Sequence, residues 1–157
     1  MWENRDLNSC ALQNEYRHNH LSISAMEKIT RDQILSHGED WQKNYDEYEI
    51  DEAVVNEIKS TLGEDLKIDV YLGLWCRDSV NNVPKFIKII DALEAEHLTV
   101  HYFTVERSDK QDTPYFVPDL KVERVPTFIF FRNGEEIGRI IENPVKSMIE
   151  DFLAILR

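Results

Sequence analysis

The stretch Leu72-Gly73-Leu74-Trp75-Cys76-Arg77-Asp78-Ser79 decides the fold of this chain, together with Val125-Pro126-Thr127 further along. Apolar residues alternate through the residues before the cysteine, which predicts a strand over residues 66–75. From Cys76 to His97 the apolar residues recur at helical spacing, which predicts a long helix with a kink at Pro84. Cys76 is therefore expected at the junction of a strand and a helix.

The second half of the chain predicts the rest of a mixed sheet. Strands are predicted over residues 98–105, 126–131 and 136–141. A tight turn at Asn133-Gly134 joins the last two, because this dipeptide tolerates positive φ. A closing helix is predicted to begin at Pro144, and its buried stripe to begin at Val145. The sequence thus predicts an α/β fold, with helices on both faces of a mixed central sheet.

The N-terminal part of the chain divides into two segments. Residues 1–25 are polar without periodicity and are expected to be flexible; whether they belong to the native protein stays open, since Met26 is an alternative start. Residues 26–65 predict a helical extension packed on the core, interrupted at His37-Gly38, with Asp51 as the N-cap of its last helix. Residues 66–157 are expected to form the main domain.

The composition and net charge of the chain argue against some classes of function. The chain has 157 residues, of which 42% are hydrophobic, and a net charge of −12. A negative chain is poorly suited to nucleic acid or anionic membranes, which need clustered Lys and Arg. No apolar run has the length of a transmembrane helix, and the N-terminal residues lack the order of a secretory signal. Two cysteines are too few for a disulfide framework, so a cytoplasmic location is expected.

Cys76 is the strongest candidate for chemistry. The unpaired N–H groups at a helix start stabilise an anion, which favours the nucleophilic thiolate over the thiol. Arg77 would strengthen this effect and Asp78 would oppose it. The alternative is that Cys76 is a small buried apolar residue without reactivity. No cluster of metal-binding residues and no glycine-rich phosphate loop is evident in the sequence, so no metal or cofactor is predicted.

The Trp75-Cys76-x-x-Ser79 pattern, Pro84, and the later Val125-Pro126-Thr127 resemble the thioredoxin family. The resemblance implies a thioredoxin fold with a cis proline at Pro126 beside the cysteine. It also implies that the backbone at Val125 binds an incoming peptide, as an edge strand would, and presents its disulfide to the thiol. Trp75 is expected to shape the surroundings of the thiol.

Ser79 stands where members with two thiols carry the second cysteine. It can cap the first helical turn or donate a hydrogen bond to the Cys76 thiolate, but it cannot attack a mixed disulfide. Release of a captured substrate then needs another thiol: glutathione, a second substrate cysteine, or Cys10. Cys10 lies in the unpatterned N-terminal segment, which disfavours it.

A second departure concerns the proton. Efficient thioredoxins carry a buried carboxylate six residues before the reactive cysteine, where this chain has Val70; Asp69 should point to the opposite face of the sheet. The leading hypothesis is monothiol exchange on protein or glutathione mixed disulfides, with Cys76 and Ser79 in the catalytic site. The alternative is a binding module that holds partner proteins beside Pro126 without turnover. An iron–sulfur monothiol glutaredoxin fits less well, because that family has Gly-Phe where this chain has Arg77-Asp78.

Overall fold

The computed structural model of the protein describes residues 26–106 and 116–157. Its strands are β1 (Glu27–Ile29), β2 (Leu66–Leu72), β3 (Thr99–Thr104), β4 (Thr127–Arg132) and β5 (Glu135–Ile141). They form one sheet in the order β1-β3-β2-β4-β5. β2 is parallel to β3 and antiparallel to β4, while β1 and β5 pair antiparallel at the two edges. The predicted mixed α/β sheet is confirmed, and β1 is a strand that the sequence analysis did not predict.

Five α-helices accompany the sheet in the described residues. They are α1 (Arg31–Leu35), α2 (Glu39–Glu47), α3 (Glu52–Thr61), α4 (Arg77–Leu93) and α5 (Met148–Leu156). The predicted break at His37-Gly38 separates α1 from α2. Asp51 caps α3, as predicted, by accepting hydrogen bonds from the N–H groups of Ala53 and Val54. No helix within the described ranges is both long and apolar enough to cross a bilayer.

The α-helices pack on one face of the sheet. Their buried side chains join those of β2 and β4 in one cluster, whose members include Ile34, Trp41, Ile58, Ile68, Val70, Phe86, Phe128 and Phe152. Phe86 of α4 lies at its centre, with ring centroids 4.9 Å from Phe128 and 5.9 Å from Phe152. Burial of such a side chain stabilises the fold by about 1.5–3 kcal/mol.

The other face of the sheet carries a second, smaller cluster. Tyr71 and Ile129 of the sheet pack there with Phe116 and Val122, next to a short 3-10 helix, Pro118–Leu120. Cys76 belongs to this cluster. Within the described residues, this 3-10 helix is therefore the helical element that packs on the second face.

The start of the closing helix differs from the prediction. α5 begins at Met148, with Ser147 as its N-cap, rather than at Pro144. The Ser147 hydroxyl accepts a hydrogen bond from the Glu150 N–H at 3.1 Å, a cap that proline cannot provide. Val145 lies before the helix and is 92% exposed, so it takes no part in the buried stripe.

The long helix and the hairpin follow the prediction more closely. α4 ends four residues before His97, at Leu93, where Glu94 adopts a left-handed conformation. Pro84 lies inside α4 and is buried; the kink predicted there stays a prediction. Asn133 and Gly134 both have positive φ, 54° and 84°, which confirms the turn between β4 and β5.

Candidate functional site

Cys76 is the N-cap of α4. Its backbone is extended, with φ −99° and ψ 124°, and its Sγ accepts a hydrogen bond from the Ser79 N–H at 3.3 Å. A cap residue supplies an acceptor to N–H groups that the helix leaves unpaired. The structure therefore has Cys76 at the predicted strand-to-helix junction, and the donor described at its Sγ is a main-chain group.

The proline segment lies on the other side of the sulfur. The Val125 carbonyl oxygen is 3.4 Å from Sγ, a contact in which a reduced thiol can donate a hydrogen bond. The peptide bond between Val125 and Pro126 is cis. Cys76 is disulfide-bonded in this structure and 1% exposed. The chain's other cysteine, Cys10, lies outside the described residues.

Ser79 is fully buried, and its hydroxyl is used on the strand side of the junction. The hydroxyl oxygen accepts a hydrogen bond from the Gly73 N–H at 3.1 Å. The carbonyl of Gly73 in turn accepts from the Cys76 N–H at 3.0 Å. Ser79 thus ties the end of β2 to the first turn of α4. The predicted hydrogen bond from its hydroxyl to the Cys76 thiolate stays a prediction.

Trp75 packs between the junction and the second cluster. Its Nε1 donates to the Val105 carbonyl at 3.0 Å, and its ring centroid is 6.1 Å from that of Phe116. The indole also lies against the backbone of Gly73, where an added Cβ would be 2.7 Å from the Trp75 Cε2. The tryptophan therefore fixes the loop that leads into Cys76 from one side.

Asp78 and Arg77 complete the first turn. Burial raises the pKa of Asp78, and the neighbouring Glu142 carboxylate raises it further by charge and by a side-chain hydrogen bond. Asn143 and Arg77 lower the pKa of Asp78, but with the smaller effect. Arg77 itself is exposed. Two carboxyl groups thus lie together at the helix start, and their negative charge opposes a thiolate there.

Val70, six residues before the cysteine, has apolar surroundings in the structure. Val70 is fully buried in the helix-side cluster. Asp69 lies on the opposite face, where it is 7% exposed, and its Oδ1 has no hydrogen-bond partner among the described residues. Its oxygens are 3.5 Å from Lys67 Nζ and from His101 Nδ1. The carboxylate on this strand therefore lies beside Lys67 and His101 on the second face, away from the helix-side position of Val70.

The sequence analysis missed residues that surround the proline segment. Glu142, directly after β5, donates its N–H to the Pro126 carbonyl at 2.6 Å, and its carboxylate is 3.2 Å from Arg124. Asn82 of α4, 4% exposed, donates to the Glu142 carbonyl at 2.9 Å. Only the adjacency of Arg124 to Val125 was visible in the sequence. The structure brings the predicted Trp75, Cys76, Ser79, Val125 and Pro126 to one place, together with these residues.

This arrangement suits a reaction at sulfur. The sulfur lies at a helix start, with a main-chain donor on one side and a main-chain carbonyl on the other, and helix starts are where reactive cysteines are often found. Among the described residues, no three His, Cys, Asp or Glu side chains are grouped so that they could hold a metal ion.

Comparisons with known proteins agree with this geometry. A family model described as Thioredoxin matches residues 23–152, a range that includes the helices before β2. A crystal structure of a protein of unknown function from Pseudomonas aeruginosa is similar at a TM-score of 0.58 and 15% identity, covering 88% of this chain and 96% of that one. A crystal structure of an HIV epitope scaffold is similar at 0.54 and 15% identity, covering 88% and 87%. No curated protein matches. The structural likenesses bear on the fold alone, and with the family match they confirm the fold class predicted from the sequence.

Proposed function

This chain belongs to the thioredoxin family, and on that premise we propose that it carries out thiol–disulfide exchange through Cys76. The observation that supports the proposal most is the position of Sγ, which accepts the Ser79 N–H at 3.3 Å and contacts the Val125 carbonyl at 3.4 Å. A thiolate at a helix N-terminus has a pKa below the ~8.5 of a free cysteine, and the thiolate is the attacking species. The disulfide on Cys76 must first be reduced, which two glutathione thiols do by exchange, leaving as oxidised glutathione.

The proposed step is an exchange at sulfur. The Cys76 thiolate attacks one sulfur of a substrate disulfide, a bond forms between the two, and the other substrate sulfur leaves as a thiolate that takes a proton from water. A second thiolate, from glutathione or a substrate cysteine, then attacks the mixed disulfide and returns Cys76 to the thiolate. With a glutathione mixed disulfide as substrate, Cys76 takes the glutathione sulfur and the protein thiolate leaves; one glutathione thiolate then attacks that glutathione sulfur, so the products are the reduced protein, oxidised glutathione and the Cys76 thiolate.

The monothiol character of the cycle is part of the proposal. Ser79 is fully buried and cannot act as a resolving nucleophile. Release of a captured substrate then needs another thiol, from glutathione, a second substrate cysteine or Cys10, and the proposed substrates are proteins with mixed disulfides and glutathione adducts. A cytoplasmic location belongs to the same proposal, because glutathione keeps thiols reduced there.

A second candidate is a binding module that uses the groove beside Pro126 without turnover. It is favoured by Val70, which is fully buried where a proton-transferring carboxylate would serve an efficient reductase. The two candidates differ in the reactivity of Cys76, since binding alone does not need a thiolate.

The pH dependence of Cys76 alkylation by iodoacetamide separates them. In a Cys10→Ser background, exchange predicts a midpoint clearly below ~8.5 and a Cys76 adduct with oxidised glutathione, visible by intact mass. Cys76→Ser in the same background should give no adduct. A midpoint at or above ~8.5 without adduct would refute exchange and leave the binding module.

A further inference from the structure

Glu142 has an unusual backbone conformation for its residue type, and it contacts the proline segment that lies beside the Cys76 sulfur. Its φ is 64°, in the left-handed region that non-glycine residues with long side chains seldom adopt. Residues held in such conformations are retained where the surrounding contacts determine them, and they concentrate at functional sites. The contacts of Glu142 are therefore a guide to what it does.

Those contacts reach both neighbours of Val125. The Glu142 N–H donates to the Pro126 carbonyl at 2.6 Å, and its carboxylate is 3.2 Å from Nη1 of Arg124. Both side chains of the ion pair are largely buried, at 17% and 28% exposed, so solvent screens the pair less than a surface pair. Val125, between the two anchored residues, is the residue whose carbonyl contacts Sγ.

The same residue is also fastened to the helix that carries Cys76. Nδ2 of Asn82 donates to the Glu142 carbonyl at 2.9 Å and to Oδ1 of Asn143 at 2.8 Å. Asp78, in the first turn of α4, lies beside the Glu142 carboxylate. Glu142 therefore joins the proline segment on one side to the start and middle of α4 on the other.

We propose that Glu142 is a positioning residue for the exchange reaction: through Arg124 and the Pro126 carbonyl it holds the Val125 carbonyl at a fixed distance from Sγ. The inference rests on the proposed function of Cys76. It assigns to Glu142 no contact with the substrate. Its carboxylate acts through Arg124, and the left-handed backbone is retained because it lets one residue reach Pro126, Arg124 and Asn82 together.

Two variants in the full chain with Cys10→Ser separate position from charge. Glu142→Gln removes the negative charge and keeps an oxygen that accepts from Arg124. Glu142→Gly removes the same charge and the whole side chain, but suits the left-handed backbone and keeps both main-chain hydrogen bonds. The readouts are the thermal midpoint, the pH midpoint of Cys76 alkylation by iodoacetamide, and the rate of mixed-disulfide formation with a model peptide disulfide.

We expect the Glu142→Gly variant to lose much of its exchange rate while keeping most of its thermal stability. Glu142→Gly should lower the thermal midpoint only modestly, because relief of the left-handed backbone offsets part of the lost Arg124 pair. It should nevertheless exchange at least about tenfold more slowly, since a displacement on the order of 1 Å can reduce a rate about 100-fold. Glu142→Gln should recover the rate to within about threefold of the parent, because it restores the Arg124 contact. The alkylation midpoint should differ between the two variants, although they have lost the same charge.

Equal alkylation midpoints and equal exchange rates in the Gln and Gly variants would overturn the proposal, since charge alone would then account for the effect. A parent protein that forms no mixed disulfide would refute the proposed function instead. In that case the comparison of alkylation midpoints still decides the role of Glu142, because alkylation needs no disulfide substrate.

Discussion

Replacement of Gly73 by alanine should destabilise the protein, although its backbone conformation accepts alanine. Gly73 is not among the residues with positive φ, so a substitution that only stiffened the unfolded chain would stabilise by about 0.4–1 kcal/mol. The obstacle is the Trp75 indole, because a Cβ at Gly73 would lie 2.7 Å from Cε2 and 2.9 Å from Cζ2. No pair of carbon atoms is accommodated at those distances, so the ring must move.

The size of the effect follows from what the movement disrupts. Loss of the hydrogen bond from Trp75 Nε1 to the Val105 carbonyl, now 3.0 Å, removes about 0.5–1.5 kcal/mol. Overpacking in a buried region adds about 1–3 kcal/mol. We therefore expect Gly73→Ala to lower the free energy of unfolding by about 2–4 kcal/mol, measured by urea denaturation at unchanged m-value.

A double-mutant cycle with Trp75→Ala tests the cause. Trp75→Ala removes the three atoms nearest to the added Cβ, so Gly73→Ala should then change the free energy of unfolding by less than about 0.5 kcal/mol. A loss of similar size in both backgrounds would show that the steric reasoning is wrong. So would a Gly73→Ala protein as stable as the parent.

Three further outcomes are expected. Because the folded state raises the pKa of Asp78, charging this group disfavours folding; the stability gained by Asp78→Asn should therefore grow as pH rises from about 3 to about 7 in urea denaturation. Burial, aided by the charge of Asp69, raises the pKa of Tyr71 to about 12. The neutral phenol therefore stabilises the fold fully below about pH 10, and this stability is lost as the pH rises from about 10 towards about 12. Tyr71→Phe should reduce the fall in the free energy of unfolding over that range. Asp51→Ala should lower the free energy of unfolding by about 1 kcal/mol through loss of the α3 cap; an unchanged urea midpoint would contradict this.

Local signals account for the parts of the fold that the sequence predicted well. Alternating Ile68, Val70 and Leu72 mark a strand with one continuous apolar face, and the turn at Asn133-Gly134 uses the positive φ that this dipeptide tolerates. The position of Cys76 at the start of α4 could be predicted because apolar residues alternate before it and recur at helical spacing after it. In each case the residues that carry the signal are neighbours in the chain.

The failures involve partners that are distant in sequence or chosen by competition. β1 has only three residues, and Glu27 pairs with Thr104, too far along the chain for any local pattern to show. Pro144 and Ser147 are both acceptable helix starts. In the structure the Asp151 carboxylate accepts hydrogen bonds from the N–H groups of Val145 and Lys146, which favours the later start at Ser147. At the site, Glu142 gave no signal, since glutamate is not a residue type that predicts a left-handed backbone.

The polar groups described nearest to the sulfur, the Ser79 N–H and the Val125 carbonyl, both belong to the peptide backbone. A backbone group is present whichever side chain the position carries, so it is inherited with the fold rather than with a residue identity. Substitutions at positions 79 and 125 can accumulate over evolution without deleting either contact; proline at 79, which has no N–H, is the exception. Relatives with the same electrostatic surroundings at sulfur can therefore have diverged beyond the reach of a motif search, and shared backbone geometry is the trait by which to find them.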